Sequence, residues 1–227
     1  EAVPAAQTGR DGHPAPGVHF PDTGLPRRMW AAGELEVFRP LPLGATAVKT
    51  TTVGEPVRKL GRSGPLAFVS AVHEITGRDG LALRERQDIV YREDPDPGAP
   101  PAPHRAAPSD ETMRQAWSLG PEALFRYSAL TYNGHRIHYD LDYARRVEGY
   151  AGLVVHGPLL ATLMLETAAA ALPDRFRPHF TGRFTYRAAA PVIAHERFET
   201  CIRLDGDGAH LWVRVDDGRL AMEGRID

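Results

Sequence analysis

The sequence predicts an α+β protein whose two halves each form an antiparallel sheet, the second wrapped round a long apolar helix. Three observations predict this class. Short runs of alternating or buried apolar residues recur between glycine-rich turns, which is typical of antiparallel strands. The one apolar stretch of helical length is followed by strands and does not alternate with them. Segments of the first half also resemble segments of the second, so we expect one plan to be repeated within the 227 residues.

The first half, residues 1–92, is expected to begin with an irregular arm and to continue as a meander of strands. Residues 1–26 are rich in Gly and Pro and lack periodicity, and anchors such as Phe20 and Leu25 are expected to hold them down. No long apolar helix is evident in this half, which therefore lacks or has lost its helix. The segments that predict strands with short antiparallel connections are Ala45–Val53 with Val57–Leu60 as its extension, Leu66–Ile75 and Leu81–Tyr91.

Residues 93–109 predict a linker between the halves. They are dominated by Pro, Ala and charged residues, and such a segment cannot bury enough apolar area to offset its ordering entropy. The second domain, residues 110–227, is predicted to carry the chemistry, because only this half has a polar turn and a long apolar helix. The elements expected in it are helices over Asp110–Arg114, Pro121–Tyr127, Asp142–Val147 and Pro158–Leu172, followed by strands over Phe180–Tyr186, Phe198–Leu204, His210–Val215 and Arg219–Ile226.

The long helix of the second half is apolar on almost every face. We therefore expect a sheet to enclose Pro158–Leu172, and proline is tolerated in its first turn.

The repeat appears in short sequence correspondences between the two halves. Leu66–Val72 and Asp79–Ile89 resemble His210–Val215 and Asp217–Ile226, each pair being separated by a turn.

Composition excludes several classes of partner. The formal net charge is −2 and no long Lys/Arg block occurs, so no nucleic acid partner is expected. The longest apolar stretch, Leu159–Leu172, is interrupted by polar residues and is too short to cross a bilayer, so no membrane partner is expected. The single cysteine, Cys201, forbids an intrachain disulfide and fits a reducing cytoplasmic compartment.

A polar turn, Asn133–Asp140, precedes Gly152–Pro158, where the long helix begins. His138 in this turn can take and return a proton near neutral pH. The Gly157 N–H can donate to an oxygen that gains negative charge, because glycine permits close approach and the helix dipole favours that charge. The two segments together therefore predict a site for acid–base chemistry at a carbonyl group.

The same turn also suggests a competing interpretation as a metal site. His135, His138 and Asp140 have a spacing that could suit zinc or iron. No further ligand cluster accompanies them, so we expect no metal and no other cofactor.

The same segments resemble the MaoC-like family, also described as R-specific enoyl-thioester hydratases and dehydratases. That family carries Asp-x-Asn-Pro-Ile-His-x-Asp, followed downstream by His-Gly at a helix start; here the pattern is Asn133-Gly-His-Arg-Ile-His138-Tyr-Asp140, then His156-Gly157. The wider context looks like the double-hot-dog branch, which contains itaconyl-CoA and mesaconyl-C4-CoA hydratases and the 3-hydroxyacyl-thioester dehydratase type 2. The segments that carry this wider likeness are Leu25–Trp30, Gly61–Gly64, Gln87–Arg92 and Arg126–Thr131.

The resemblance implies a double hot-dog fold and assigns roles to individual residues. His138 is implied to be catalytic, and the Gly157 N–H is implied to bind the oxyanion. The acidic residue of the family is replaced by Asn133, which cannot ionise and is expected to orient water or substrate. The residues expected to surround the substrate or support its loop are Tyr132, His135, Arg136, Asp140 and His156. The candidates for contact with the phosphates of the substrate are Arg27, Arg28, Arg62, Arg136, Arg145 and Arg146.

We therefore expect a hydro-lyase that hydrates an enoyl thioester of CoA or acyl carrier protein, or dehydrates the 3-hydroxyacyl thioester. A short dicarboxylic acyl-CoA such as mesaconyl- or itaconyl-CoA is the first substrate class to consider. The alternatives are a hot-dog thioesterase and, because of Asn133, a non-catalytic module that binds acyl thioesters. A homodimer is expected, since hot-dog sheets often pair at their edges.

Overall fold

The computed structural model describes residues 3–61, 64–96, 103–206 and 208–227. The strands are β1 (Arg27–Val37), β2 (Val48–Val53), β3 (Val57–Gly61), β4 (Gly64–Gly77), β5 (Gly80–Arg92), β6 (Met113–Ser118), β7 (Gly182–Ala188), β8 (Arg197–Asp205), β9 (Gly208–Val215) and β10 (Leu220–Ile226). The helices are α1 (Pro121–Thr131), α2 (Leu141–Arg146), α3 (Gly157–Ala171) and α4 (Pro173–Phe176), with single 3-10 turns at Ala5–Gln7 and Arg136–His138. The predicted α+β class is confirmed.

The described strands form one antiparallel sheet in the order β2-β4-β5-β1-β7-β10-β9-β8-β6, with β3 paired to β4. Outward from the central pair, the two halves have a similar strand order: β1 is followed by β5, β4 and β2, and β7 is followed by β10, β9 and β8. This shared order agrees with the predicted duplication. The halves meet where β1 pairs with β7, over Ala32–Val37 and Gly182–Arg187.

Helix α3 packs on one face of the second half-sheet, against β6, β8 and β9. Its Leu160, Met164 and Ala168 are buried in the largest core cluster of the described residues, together with strand residues such as Phe184 and Leu211. The expectation that a sheet encloses every face of this helix is wrong in part. A stripe of three residues spaced four apart is exposed: Thr162, Glu166 and Ala170.

The N-terminal arm covers part of the corresponding face of the first half-sheet. Among the described residues of the first half, no α-helix occurs. Leu25, with Phe20 beside it, packs instead on a small core cluster formed by Ala67, Val69 and Tyr91. These contacts confirm the two predicted anchors, and the irregular arm therefore takes over part of the covering role that α3 has in the second half.

Two predicted elements are wrong. Asp110–Arg114 is not a helix, because the chain extends into β6, which pairs with β8 at the sheet edge. Exposure alternates along β6, so that Met113 and Trp117 pack against the core while Arg114 faces solvent, which is a period of two and not 3.6. Val57–Leu60 does not extend β2 but forms β3, a separate strand on β4.

The boundary between the halves crosses the part of the chain that is not described. Residues 97–102 of the predicted linker lie outside the described residues, so the division into 1–92, 93–109 and 110–227 stays a prediction. Within the described ranges, no helix has the length and apolar character needed to span a membrane.

Candidate active site

The polar turn is built by local hydrogen bonds that its own sequence supplies. Tyr132 ends α1 in the left-handed conformation, with φ of 55°, and reverses the chain. The Oδ1 atom of Asn133 accepts the backbone N–H of His135 at 3.0 Å. After the 3-10 turn, the Asp140 carboxylate accepts the Tyr143 N–H at 3.0 Å and caps α2. The loop around His138 is thus fixed at both ends.

His138 is held as a neutral imidazole. The side chain is 6% exposed, and Nδ1 lies 2.7 Å from the carbonyl oxygen of Val154. Because that oxygen can only accept, Nδ1 carries a proton. Burial lowers the pKa of His138 to about 4, so the ring is neutral near pH 7 and Nε2 carries the lone pair. No described residue hydrogen-bonds Nε2, which is therefore available as a proton acceptor.

The His138 ring lies next to the start of α3. It stacks on the ring of His156, with centroids 3.6 Å apart and planes inclined by 18°. The Nε2 atom of His156 lies 2.9 Å from Oγ of Ser128, which fixes the ring on α1. His156 is the N-cap residue of α3 and Gly157 is its first residue, so the Gly157 N–H has no acceptor within the helix. An imidazole and a free main-chain donor are therefore neighbours.

The N-terminal arm completes the surroundings of this loop. The His13 ring is 4.9 Å from the His135 ring, which in turn is 5.5 Å from that of His138. The carbonyl oxygen of Asp11 accepts the Arg136 N–H at 2.8 Å, and the Asp11 carboxylate pairs with Arg28 at 2.7 Å. No local pattern in the sequence predicts this role, because the contact joins residues far apart in the chain.

Four histidines near the polar turn, three of them buried and His13 half-buried, predict acid sensitivity of the fold. Burial lowers the pKa of His13 and His138 to about 4, that of His156 to about 2 and that of His135 well below 6.5. The unfolded chain takes up protons on these rings near pH 6.5, whereas the folded chain resists until about pH 4 or below. Protons therefore favour the unfolded state, and the free energy of unfolding should fall as the pH drops from 6.5 towards 4.

Urea unfolding at pH 7 and pH 5 measures this effect. For His138 alone we expect a loss of about 2 kcal/mol at pH 5. A His138→Asn variant, whose amide can still donate to the Val154 carbonyl, should show a shallower decline with falling pH. An identical decline in the variant would contradict the assignment of a buried neutral ring at position 138.

A cavity of about 370 Å³ opens beside the start of α3 and draws on both halves of the chain. Its lining residues are Trp30, Leu35, Glu85, Gln87, Tyr127, Thr131, Asn133, Pro158, Ala161, Thr162, Leu165, Phe184 and Tyr186. Asn133 and Pro158 thus border one cavity, as the motif leads one to expect. The cavity is not confined to the second half, because β1 and β5 form one of its walls.

Other predicted site residues lie outside this lining. Tyr132 is 69% exposed, and Tyr127, more than one turn earlier on α1, faces the cavity in its place. The Arg136 guanidinium pairs with the Asp140 carboxylate at 2.7 Å, so both groups brace the loop. His135, His138, His156 and Gly157 are not among the lining residues. The His156 ring connects His138 to the cavity wall, because it stacks on His138 and lies 4.8 Å from the ring of Tyr127.

Two lining residues, Glu85 and Gln87, were missed by sequence reasoning, although a signal existed. Side chains two apart on a strand share a face, so Leu83, Glu85, Gln87 and Ile89 lie on one face of β5. Two polar residues therefore interrupt an apolar face that the sheet turns inward. Such an interruption on a strand indicates a polar cavity.

The arginines that are candidates for phosphate contact lie in different surroundings. Arg27 pairs with Glu148 in the interior and Arg28 pairs with Asp11, so both are structural. Arg145 and Arg146 are exposed on α2, and Arg62 lies outside the described residues.

Replacing Gly157 by alanine tests the backbone donor separately from stability. A Cβ atom there would lie 3.9 Å from both Met222 and Trp30, which is ordinary contact, so the Tm should stay near that of the unmodified protein. The methyl group would stand where a carbonyl oxygen must approach the amide, and we expect kcat to fall on the order of 100-fold. Activity close to the unmodified value would argue against the oxyanion role.

Comparison with known sequences identifies relatives over nearly the whole chain. The profile of the hydroxyacyl-thioester dehydratase type 2 family matches residues 2–194. The mesaconyl-C(4)-CoA hydratase of Chloroflexus aurantiacus is 39% identical over 232 residues, which cover 99% of this chain and 79% of that protein. The likeness therefore includes both half-sheets and the polar turn.

Solved structures show the same fold at low identity. A MaoC-like dehydratase from Phytophthora capsici has a TM-score of 0.67 at 16% identity, covering 91% of this chain and 74% of that one. A Mycobacterium tuberculosis protein with a double hot-dog fold has a TM-score of 0.57 at 17% identity, covering 87% and 74%. At these identities the likeness concerns the fold alone, and the double hot-dog prediction is confirmed.

Proposed function

The chain belongs to the hydroxyacyl-thioester dehydratase type 2 family, and on this premise we propose how its residues carry out the reaction. The protein is a hydro-lyase that acts on thioesters of CoA or acyl carrier protein, in keeping with its hydratase and dehydratase relatives. The observation that best supports the proposed site is the stacking of His138 on His156, directly before the free Gly157 N–H.

Hydration requires a donor to the thioester oxygen, a positioned water and a group that moves a proton. The Gly157 N–H donates to the oxygen as enolate charge develops. The Nε2 atom of neutral His138 takes a proton from water while the water oxygen bonds to the β-carbon. The π electron pair moves to the thioester oxygen, and the same proton returns to the α-carbon when the enolate collapses. Dehydration is the reverse of these steps.

Asn133 orients the water or the substrate and does not act as a base. Its Oδ1 atom is already used by the His135 N–H at 3.0 Å, so its amide N–H groups are what it can offer to the cavity. Tyr127 and Thr131 add hydroxyl groups to the same wall. His156 and Asp140 position the loop and the helix start, and Arg136 braces Asp140.

The substrate that we propose first is a short enoyl-CoA that carries a second carboxylate, such as mesaconyl- or itaconyl-CoA. Its support is the 39% identity to the Chloroflexus aurantiacus hydratase named above. A carrier-bound 3-hydroxyacyl chain is the second class. We further propose a homodimer and a cytoplasmic location, the latter supported by the buried, unpaired Cys201.

A mass-spectrometric screen tests the proposed function. The purified protein is incubated with a panel of enoyl-CoA and 3-hydroxyacyl-CoA esters of different length and tail charge. We expect gain or loss of one water with the thioester intact. Release of free thiol would indicate a thioesterase, and an unchanged panel with measurable ester binding would indicate a binding module.

A further inference from the structure

Among the described residues that line the cavity, Glu85 is the only one with a charged side chain. It lies on β5 of the first half-sheet, opposite Leu35 of β1, and shares the cavity with Asn133 and Pro158 of the second half. The other lining side chains are apolar, amide or hydroxyl groups. A half-buried carboxylate without a neutralising cation is costly, so its presence in a substrate cavity points to a use.

The Glu85 carboxylate is oriented but not neutralised. Gln87 donates from Nε2 to Oε1 of Glu85 at 2.9 Å. His73 of β4 lies directly opposite Glu85, and its Nδ1 is 2.8 Å from Oγ1 of Thr51 on β2. No ion pair to Glu85 occurs within the described ranges, and its second oxygen is left for a ligand.

The hydroxyls around the cavity remain protonated beside this charge. Burial raises the pKa of Tyr127 and of Tyr186, and the negative charge of Glu85 raises both further. Both phenols therefore stay neutral at physiological pH and cannot act as bases. Within the part of the chain that the structure describes, Glu85 is the only carboxylate in the lining of this cavity.

Asn133 replaces the acidic residue of the family pattern, so another group is needed to orient the attacking water. In the family resemblance an acidic residue stands at position 133, but Asn133 cannot ionise and its Oδ1 accepts the His135 N–H. An attacking water has two hydrogens, and His138 accounts for one of them. The second hydrogen needs an acceptor so that an oxygen lone pair faces the β-carbon.

We propose that Glu85, supplied by the first half of the chain, is the catalytic residue that binds and orients the reacting water. Oε2 accepts the hydrogen that stays on the product hydroxyl, while the other proton passes to His138 and then to the α-carbon. Glu85 itself gains and loses no proton, so the step balances as written above. This role rests on the proposed function.

Substitution of Glu85 by glutamine keeps the shape and removes the charge. We expect kcat to fall on the order of 100-fold, because a misplaced nucleophile costs about that much, with KM changed by less than about three-fold. The loss should be the same for crotonyl-CoA, which has a neutral tail, and mesaconyl-CoA, which has an anionic one. Glu85→Asp retains the charge but holds it on a shorter side chain. Its kcat should lie between that of the unmodified enzyme and that of Glu85→Gln.

Glu166→Gln is the matched control, because it removes the same charge from the exposed stripe of α3, outside the cavity lining. It should leave kcat and KM unchanged. A Glu85→Gln enzyme with normal kcat overturns the proposal, as does a change confined to a lower KM for mesaconyl-CoA, which would make Glu85 a mere repellent for anionic tails. If the unmodified protein hydrates no ester, the function itself fails, which is a separate result from the Glu85 comparison.

Discussion

Replacing His138 by alanine should lower kcat on the order of 1,000-fold, which is the usual contribution of a positioned acid–base group. The physical reason is that the neutral His138 ring carries a lone pair on Nε2, and no described residue hydrogen-bonds this atom. On the acid side, kcat/KM of the unmodified enzyme should decline only as the pH approaches about 4, where His138 becomes protonated. Initial rates of hydration across pH 4 to 8 measure both effects.

His138→Asn separates chemistry from packing. The asparagine amide can still donate to the Val154 carbonyl, which His138 Nδ1 contacts at 2.7 Å, but it has no base in the place of Nε2. We expect a Tm nearer to that of the unmodified protein than the alanine variant shows, with activity equally low. His179→Ala, on an exposed loop, is the control histidine. Full activity in either His138 variant would remove the catalytic assignment.

Gly12→Ala in the N-terminal arm should lower kcat on the order of 100-fold, since a shift of about 1 Å in a catalytic loop can have that effect. Gly12 has φ of +88°, and a Cβ atom there would lie 2.0 Å from the carbonyl oxygen of Gly134. Gly134 stands between Asn133 and His135, so relief of this clash must displace the turn that leads to His138.

Gly17→Ala is a closely matched control in the same arm. Gly17 has nearly the same φ, +84°, but a Cβ atom there meets nothing within 4 Å. Both variants carry the left-handed strain of roughly 1–2 kcal/mol, and only Gly12→Ala adds the contact with the catalytic loop. Equal kcat values for the two variants would show that the arm does not position the site.

Strand and helix types followed from local pattern wherever periodicity was strong. The apolar run of α3 and the proline in its first turn predicted that helix to within one residue at each end. Asp110–Arg114 misled because acidic residues typical of a helix start precede an edge strand. There the pairing of β6 with β8 and the packing of Trp117 on the core decided the structure.

The candidate site was predictable only in part. The turn that bears His138 and the helix start at Gly157 are local motifs, and the fold brings them together through His156. The wall formed by Glu85 and Gln87, and the contact of Asp11 with Arg136, depend on pairing between distant segments. Local sequence carries no information on such pairing. The two polar residues in the apolar face of β5 nevertheless indicate which strand borders the cavity.

Incubation of the enzyme with an enoyl-CoA in ¹⁸O-labelled water tests most directly whether His138 and Gly157 direct water to a bound thioester. The account predicts an intact CoA ester that carries the label on its β-hydroxyl group. Label in a released free acid, together with free CoA, would contradict it.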